Sequence, residues 1–154
     1  MLDMFTNYFS PEDLSTLRSF QGSTLLRVNY VIWRNIAKPH DIMEVLEWID
    51  LQFAEGGRLS ITAGEESLGL ELEDLNFGLE QTKVLQQFRG QVELEMIDMT
   101  DSPTWAGLAG QQLVAIGLMA HDRNQHPNKM IQFEFEDSMV DLAVQDEGLL
   151  VQRT

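Results

Sequence analysis

Carboxylates are the most abundant side chains in this chain that could do chemistry, and many alternate with apolar residues. The alternation recurs at residues 70–73, 92–96 and 132–136. Successive side chains of a β-strand point to opposite faces, so each stretch predicts a strand with one apolar and one acidic face. Glycoside hydrolysis instead needs two carboxylates in different environments across a cleft. The pattern therefore favours a charged surface over a catalytic pair.

Six of these carboxylates and one tryptophan form a candidate surface for a partner. They are Glu71, Glu73, Glu93, Glu95, Glu134, Glu136 and Trp105. Trp105 lies in a connection rich in Pro and Gly, where an aromatic side chain can anchor another protein. The alternative for Trp105 is a place at the edge of the core, and the sequence leaves both open.

Residues suited to other chemistry are few. The chain has no cysteine, so disulfides and thiolate metal sites are excluded. It contains neither a G-x-S-x-G nucleophile motif nor a glycine-rich phosphate loop. His121, Asp122 and His126 have no familiar zinc spacing, and residues 98–102 lack the glycine and glutamate of an EF-hand loop. We therefore expect no catalytic residue, no cofactor and no metal ion.

Two further hypotheses stay open beside the acidic surface. One is a small-molecule or enzyme site in a pocket between sheet and helices, formed by Asp98, Asp101, Trp105 and His121. A buried carboxylate in such a pocket would favour it. The other is self-association, as a homo-oligomer, through an exposed strand edge or an exposed tryptophan face.

The charge of the chain is uneven. It carries 25 acidic and 10 basic side chains, for a net charge of −15. Residues 1–42 hold four of each, so the whole net charge arises in residues 43–154. Nucleic acid and anionic membranes are disfavoured as partners because their phosphates would be repelled, whereas a basic protein would be attracted. Acidity that merely maintains solubility is the alternative explanation.

Two helices are predicted among many strands. Ser10 and Pro11 are typical of a helix start and predict a helix over residues 11–20. A period of 3.6 predicts a second helix over residues 76–89. Strands are predicted over residues 25–33, 45–53, 59–63, 68–72, 92–99, 113–120, 130–135, 139–144 and 149–152. We expect the strand at 113–120 to be central, because it is continuously apolar.

Three connecting or flanking features complete the prediction. Residues 100–107 predict a turn or short helix capped by Ser102, residues 63–66 a turn, and residues 121–129 a mobile loop. Trp33 and Trp48 lie opposite the main apolar face of their strands, as in a second small core beneath a helix, or as exposed anchors.

The expected fold class is α+β, with a largely antiparallel meander sheet of eight or nine strands, an N-terminal helix and one internal helix. So many strands are expected to curl or divide into two layers. One domain over residues 1–154 is expected, with a weak internal echo between two meanders at 45–73 and 130–152.

The expectation about function rests on the composition of the chain rather than on a motif. The first residues have no basic leader, and no apolar run is long enough to span a bilayer, so we expect a soluble cytoplasmic protein. The composition is similar to that of small acidic binding proteins, such as immunity proteins that neutralise basic toxins. We therefore expect a non-enzymatic binding protein with a basic protein partner.

Overall fold

The structure, a computed structural model, describes residues 7–64, 68–121 and 125–154. The helices are α1 (Pro11–Ser19) and α2 (Phe77–Phe88). The strands are β1 (Leu25–Asn35), β2 (Met43–Phe53), β3 (Arg58–Thr62), β4 (Glu71–Leu72), β5 (Val92–Asp98), β6 (Ala115–Leu118), β7 (Met130–Glu134), β8 (Met139–Val144) and β9 (Leu149–Arg153). Residues 65–66 of the predicted turn lie outside the described residues, as does Asp122 of the predicted loop. The α+β class is confirmed.

The described strands form two antiparallel sheets. The five-stranded sheet has the order β4-β3-β2-β1-β5, and the four-stranded sheet has the order β6-β7-β8-β9. Division into two sheets is the outcome expected for this many strands, since a strongly twisted single sheet becomes hard to cover. None of the helices in the described ranges is long and apolar enough to cross a membrane.

The main core contains buried residues from both sheets. Ile49 and Leu51 of β2 belong to the same buried cluster as Phe133 of β7 and Leu142 of β8. Strands β3, β7 and β8 supply every second residue to this cluster, as the alternation predicts. The same cluster includes Leu17 of α1, which is why the N-terminal helix is part of the core.

A second, smaller core lies on the opposite face of the five-stranded sheet, beneath α2. Val31 and Trp48 are buried there, with Trp33, Phe77 and Val84 packed against them. The prediction that Trp33 and Trp48 form a second core under a helix is therefore confirmed. Helix α2 packs against β5, along one side of this outer face of the five-stranded sheet.

Helix α1 begins as predicted, and helix α2 is bounded by local signals. The Ser10 side chain accepts a hydrogen bond from the backbone N–H of Asp13, at 3.1 Å. In α2, the Asn76 side chain accepts one from the N–H of Leu79 at 3.1 Å. Arg89 ends α2 in the left-handed region, with φ of 52°.

Several local predictions are wrong. Strand β6 is at the edge of the four-stranded sheet, not central, and covers only Ala115–Leu118. Residues 100–107 form turns, which is one of the two alternatives predicted, but Ser102 caps no helix, since its buried hydroxyl has no hydrogen-bond partner. Strand β1 also begins irregularly, because a register shift between Leu25 and Arg27 leaves Leu26 unpaired with β2 and exposed.

The two segments of the internal echo are both three-stranded meanders. Residues 45–73 include β3 and β4 with most of β2, and residues 130–152 include β7 and β8 with most of β9. The two meanders belong to different sheets.

Candidate functional site

The predicted acidic partner residues occupy three separate places. Glu71 pairs with Thr62, which also pairs across from Trp48, so Glu71 lies on the α2 side of the five-stranded sheet. Glu73 follows on the same side and lines the same cleft. Glu134 is opposite the core face of β7, on the other sheet, and Glu136 is in the turn that follows.

Glu93 and Glu95 of β5 lie on the face opposite α2. Both carboxylates contact Arg34 of β1, through Nη1, at 3.1 Å and 2.8 Å. Glu44 of β2 contacts the Nε of the same guanidinium at 2.8 Å. Three carboxylates thus share one cation, which raises the pKa of Arg34 through hydrogen bonds to Glu44, Glu95 and Glu93. This part of the acidic surface already has its counter-ion.

Trp105 lies in the core, with no exposed surface. Its indole Nε1–H donates a hydrogen bond to the hydroxyl of Tyr30 at 2.7 Å, and its ring packs edge-on against Phe135. Burial raises the pKa of Tyr30, although the hydrogen bond with Trp105 acts in the opposite direction. Of the two positions that the sequence left open, Trp105 therefore occupies the one in the core.

The four residues of the predicted pocket differ in their environments, since Trp105 is buried and the other three are exposed. Asp98 is exposed, and the Thr100 hydroxyl and backbone N–H hold the pKa of its carboxyl below its ordinary value. Asp101 is exposed. His121 is exposed as well, with its Nδ1 3.0 Å from the Tyr8 hydroxyl. None of these residues lines the cleft that the described residues form.

That cleft runs beside α2, on the outer face of the five-stranded sheet, and has a volume of about 1160 Å³. Its apolar lining includes Trp33, Val45 and Trp48 from β1 and β2, with Val84 and Phe88 from α2. Trp33 and Phe88 contact each other edge to face, with ring centroids 5.7 Å apart. The second core therefore continues into the wall of the cleft.

The rest of the lining is strongly acidic. Six carboxylates line the cleft, namely Glu47, Glu71, Glu73, Glu80, Asp146 and Glu147. Lys83 is the one basic side chain of the described lining, and its Nζ is 3.6 Å from a carboxylate oxygen of Glu80. The four elements that meet here, β2, β4, α2 and the turn between β8 and β9, are distant in sequence. When the chain folds, these elements come together and bring their carboxylates into one cleft.

Glu47 reaches the cleft because of a bulge in β2. Val31 pairs with Trp48 and Ile32 pairs with Leu46, so Glu47 has no partner of its own in β1. A residue inserted in this way breaks the alternation of faces. Leu46 consequently packs in the main core, while Trp48 packs in the second core and lines the cleft with Glu47.

The bulge is supported by a hydrogen bond from β3. It also partly buries the Glu47 side chain. The backbone carbonyl of Glu47 accepts a hydrogen bond from the Thr62 hydroxyl at 2.8 Å. Burial raises the pKa of the Glu47 carboxyl, and repulsion by the charge of Glu80 raises it further. Half-buried carboxylates with raised pKa values are common at functional sites.

The sequence analysis overlooked Glu47, although a signal was present. Val45-Leu46 and Trp48-Ile49 are two apolar pairs around a single acid, and this run breaks the period of two. A bulge is the ordinary way to satisfy such a run in a strand buried on both faces. Across the described ranges, no three His, Asp or Glu side chains are close enough to hold a metal ion.

The comparisons with known proteins do not supply a function. The sequence matches no protein-family model, no curated protein and no solved structure. The function is therefore argued from the cleft itself.

Proposed function

We propose that this chain is a non-enzymatic binding protein whose acidic cleft accepts a basic segment of another protein. The observation that carries the proposal is the composition of the cleft, in which six carboxylates and one lysine line a groove with an apolar wall. Charge of one sign concentrated in a concave surface attracts ligands of the opposite charge. The apolar wall adds affinity that salt does not screen.

The cleft is a better docking surface than the other acidic parts of the protein. Glu93 and Glu95 are already paired with Arg34, so a partner would have to compete with an internal cation. Glu134 lies on the outer face of the other sheet and does not line the cleft. Of the six carboxylates in the predicted surface, Glu71 and Glu73 are the two in the cleft.

Cross-linking with a carbodiimide tests this proposal, because the reagent joins carboxylates to the amines of a bound basic protein. The protein is incubated with native lysate at low salt, cross-linked, and the joined residues are identified by mass spectrometry. We expect cross-links at Glu73, Glu80, Asp146 and Glu147, and their loss at high salt.

A charge-matched pair of variants makes the test specific. Glu73→Gln with Glu147→Gln removes two charges from the cleft and should abolish most of the cross-linking. Glu134→Gln with Glu136→Gln removes two charges from the other sheet and should leave it unchanged. Equal losses in both variants, or cross-links spread over all acidic surfaces, would contradict the proposal.

An enzymatic or small-molecule site in the same cleft is the second candidate. The raised pKa of Glu47 favours it, because carboxyls that act as general acids have raised pKa values. Screening with chromogenic esters and glycosides would reveal such an activity. The candidate requires that Glu47→Gln abolish any turnover found, and it is rejected if turnover persists.

Self-association through a strand edge is less well supported. Strand β5 ends the five-stranded sheet, and Glu93 and Glu95 give this edge strand a charge that disfavours pairing with a second copy. Light scattering over a concentration series tests this candidate. A constant monomer mass is the result that we expect.

A further inference from the structure

We infer that the free edge of β5 accepts an extended strand of a basic partner, in which basic residues alternate with apolar residues. The added strand pairs antiparallel with β5 and extends the five-stranded sheet. This inference goes beyond the proposed function, because β5 is outside the lining of the acidic cleft. Three observations support it, namely outward main-chain groups on β5, uncompensated negative charge beside them, and an exposed leucine of α2.

Strand β5 is the longest of the four strands that end a described sheet. It has seven residues, whereas β4, β6 and β9 have two, four and five. The edge of β6 is partly covered, since the N–H of Ile116 donates to the Gln21 side chain at 2.9 Å. An exposed strand edge is a template for pairing with another chain, and β5 offers the longest one here.

The register with β1 shows which main-chain groups of β5 point outward. Just beyond the two ends of this ladder, the N–H of Ile36 donates to the carbonyl of Gln91, and the N–H of Met99 donates to the carbonyl of Val28. Residues that exchange hydrogen bonds recur at every second position of an antiparallel pair. The odd-numbered residues of β5 therefore bond to β1.

The even-numbered residues Leu94 and Met96 consequently direct their main-chain N–H and carbonyl groups toward the free edge. A contact with α2 agrees with this direction, because the Gln81 side chain donates from Nε2 to the Leu94 carbonyl at 3.5 Å. This bond is long, so a main-chain donor of an added strand can replace it with little loss. In such strand addition, main-chain hydrogen bonds supply affinity, and side chains at alternate positions supply specificity.

Charge favours a basic strand at this edge. Glu93 and Glu95 are exposed and share Arg34 with Glu44, so three carboxylates and one guanidinium leave two negative charges uncompensated. Residues of an added strand directly opposite Glu93 and Glu95 are within reach of their side chains, and basic residues are favoured there. A second copy of β5 would instead place glutamates opposite glutamates.

The other face of the added strand meets apolar surface. Leu94 and Met96 belong to the second core beneath α2. Leu85 is four residues after Gln81, so both side chains lie on the side of α2 that is next to the free edge. Leu85 is 62% exposed, and an apolar residue opposite Leu94 would cover it. The strand that fits is therefore basic on one face and apolar on the other.

A short capped peptide that alternates arginine with valine tests the inference on the full chain. Chemical shifts and amide hydrogen exchange are followed by NMR. We expect saturable binding, with slower exchange at the N–H groups of Leu94 and Met96. The same peptide with glutamate in place of arginine should not bind. Exchange that is unchanged at both amides would overturn the inference.

N-methylated peptides show whether the main chain carries the binding. When the valines are opposite Leu94 and Met96, the valine N–H groups point toward β5 and the arginine N–H groups point away. Methylation of the valine nitrogens should weaken binding by about tenfold or more. Methylation of the arginine nitrogens keeps the same charge and should have a much smaller effect. Equal effects of the two methylations would overturn antiparallel pairing.

A charge-matched pair of variants tests the preference for a basic strand. Glu93→Gln with Glu95→Gln should weaken binding of the arginine peptide by about threefold to tenfold. Glu134→Gln with Glu136→Gln removes the same charge from the other sheet and should leave binding unchanged. Circular dichroism confirms that both variants are folded, and equal weakening in both would contradict selection by charge at β5.

Two exposed leucines of α2 provide a matched test of the apolar contact. Leu85→Ser should weaken the peptide by about threefold. Leu79 is 50% exposed and is two residues before Gln81, which places it on the opposite side of the helix. Leu79→Ser should therefore leave the affinity unchanged, and equal affinities of the two variants would overturn this contact.

These results are separable from those for the proposed function. Glu73→Gln with Glu147→Gln alters the cleft and should leave the slower exchange at β5 intact. Loss of that effect in the cleft variant would place the peptide in the cleft and overturn the inference. Absence of cross-links in the cleft with a lysate partner would refute only the proposed function.

Discussion

At the scale of single residues, the hydrogen bond between Trp105 and Tyr30 shows how a polar group is accommodated in the main core. The turns over residues 100–107 bring Trp105 over β1, and Arg153 holds this connection by donating to the carbonyl of Ala106 at 2.7 Å. Both side chains of the Trp105–Tyr30 pair are buried. A buried donor and a buried acceptor thereby satisfy each other.

The two single variants together should destabilise the protein more than the double variant does, because each single variant leaves one buried polar group without its partner. Trp105→Phe is expected to lower the free energy of unfolding by about 1–3 kcal/mol, because it leaves the Tyr30 hydroxyl without its donor. Tyr30→Phe should act similarly. Urea unfolding of the single and double variants gives the coupling energy, and a value near zero would contradict the bond.

Glu47 should reduce stability at neutral pH. Its folded-state pKa is raised, chiefly by burial, so the native state binds more protons than the unfolded state between the two pKa values. Stability therefore falls as the pH rises through this window and stays lower above it. Glu47→Gln should raise the melting temperature at neutral pH.

The same variant should have little effect at about pH 4, where Glu47 is largely protonated in both states. Calorimetry at the two pH values measures the difference. Glu93→Gln is a contrasting variant, because it removes a contact with Arg34 and should not stabilise the protein. Stabilisation by Glu47→Gln that is equal at both pH values would show that charge is not its cause.

At the scale of elements, the turn between β8 and β9 docks against β2 beside the bulge. A Cβ on Gly148 would lie 2.4 Å from the carbonyl oxygen of Leu46 and equally close to the Val45 side chain. Gly148 also has a φ of 77°. This glycine thus allows the second sheet to approach the rim of the cleft.

Gly148→Ala should be much more harmful than alanine at a glycine with similar backbone geometry. Gly107 has a φ of 80° and open space around it, so Gly107→Ala should cost only the backbone penalty of about 1–2 kcal/mol. Gly148→Ala should cost about 1–3 kcal/mol more through overpacking. Equal destabilisation of the two variants in urea would contradict close docking.

At the scale of the whole molecule, the net charge of −15 means that acidic side chains greatly outnumber basic ones. Part of the charge is compensated by Arg34, and Asp50 is buried against Arg58 with an Nε–Oδ1 distance of 2.6 Å. Six carboxylates and one lysine line the cleft. Repulsion among them is expected to oppose folding.

Salt should therefore stabilise the free protein while weakening its proposed complex. An increase in ionic strength from about 0.01 M to about 0.15 M shortens the Debye length from about 30 Å to about 8 Å. We expect the melting temperature to increase by a few degrees, and the affinity for a basic peptide to decrease. Sucrose is the uncharged control, and an unchanged melting temperature in salt would contradict repulsion.

The sequence by itself determined the elements whose signals are local. Ser10 and Pro11 predicted the start of α1, and alternation predicted the strands within a few residues. These predictions succeeded because caps and face periodicity depend only on neighbouring residues. The uneven charge was likewise evident from sequence.

Only the tertiary structure decided which of the predicted residues meet. Alternation placed Glu71 and Glu93 in equivalent positions, yet strand order puts them at opposite edges of one sheet and on opposite faces. Trp105 is buried, and Glu47 enters the cleft through a bulge in β2. Strand order, register shifts and layer packing depend on contacts between distant residues, and a local pattern cannot record them.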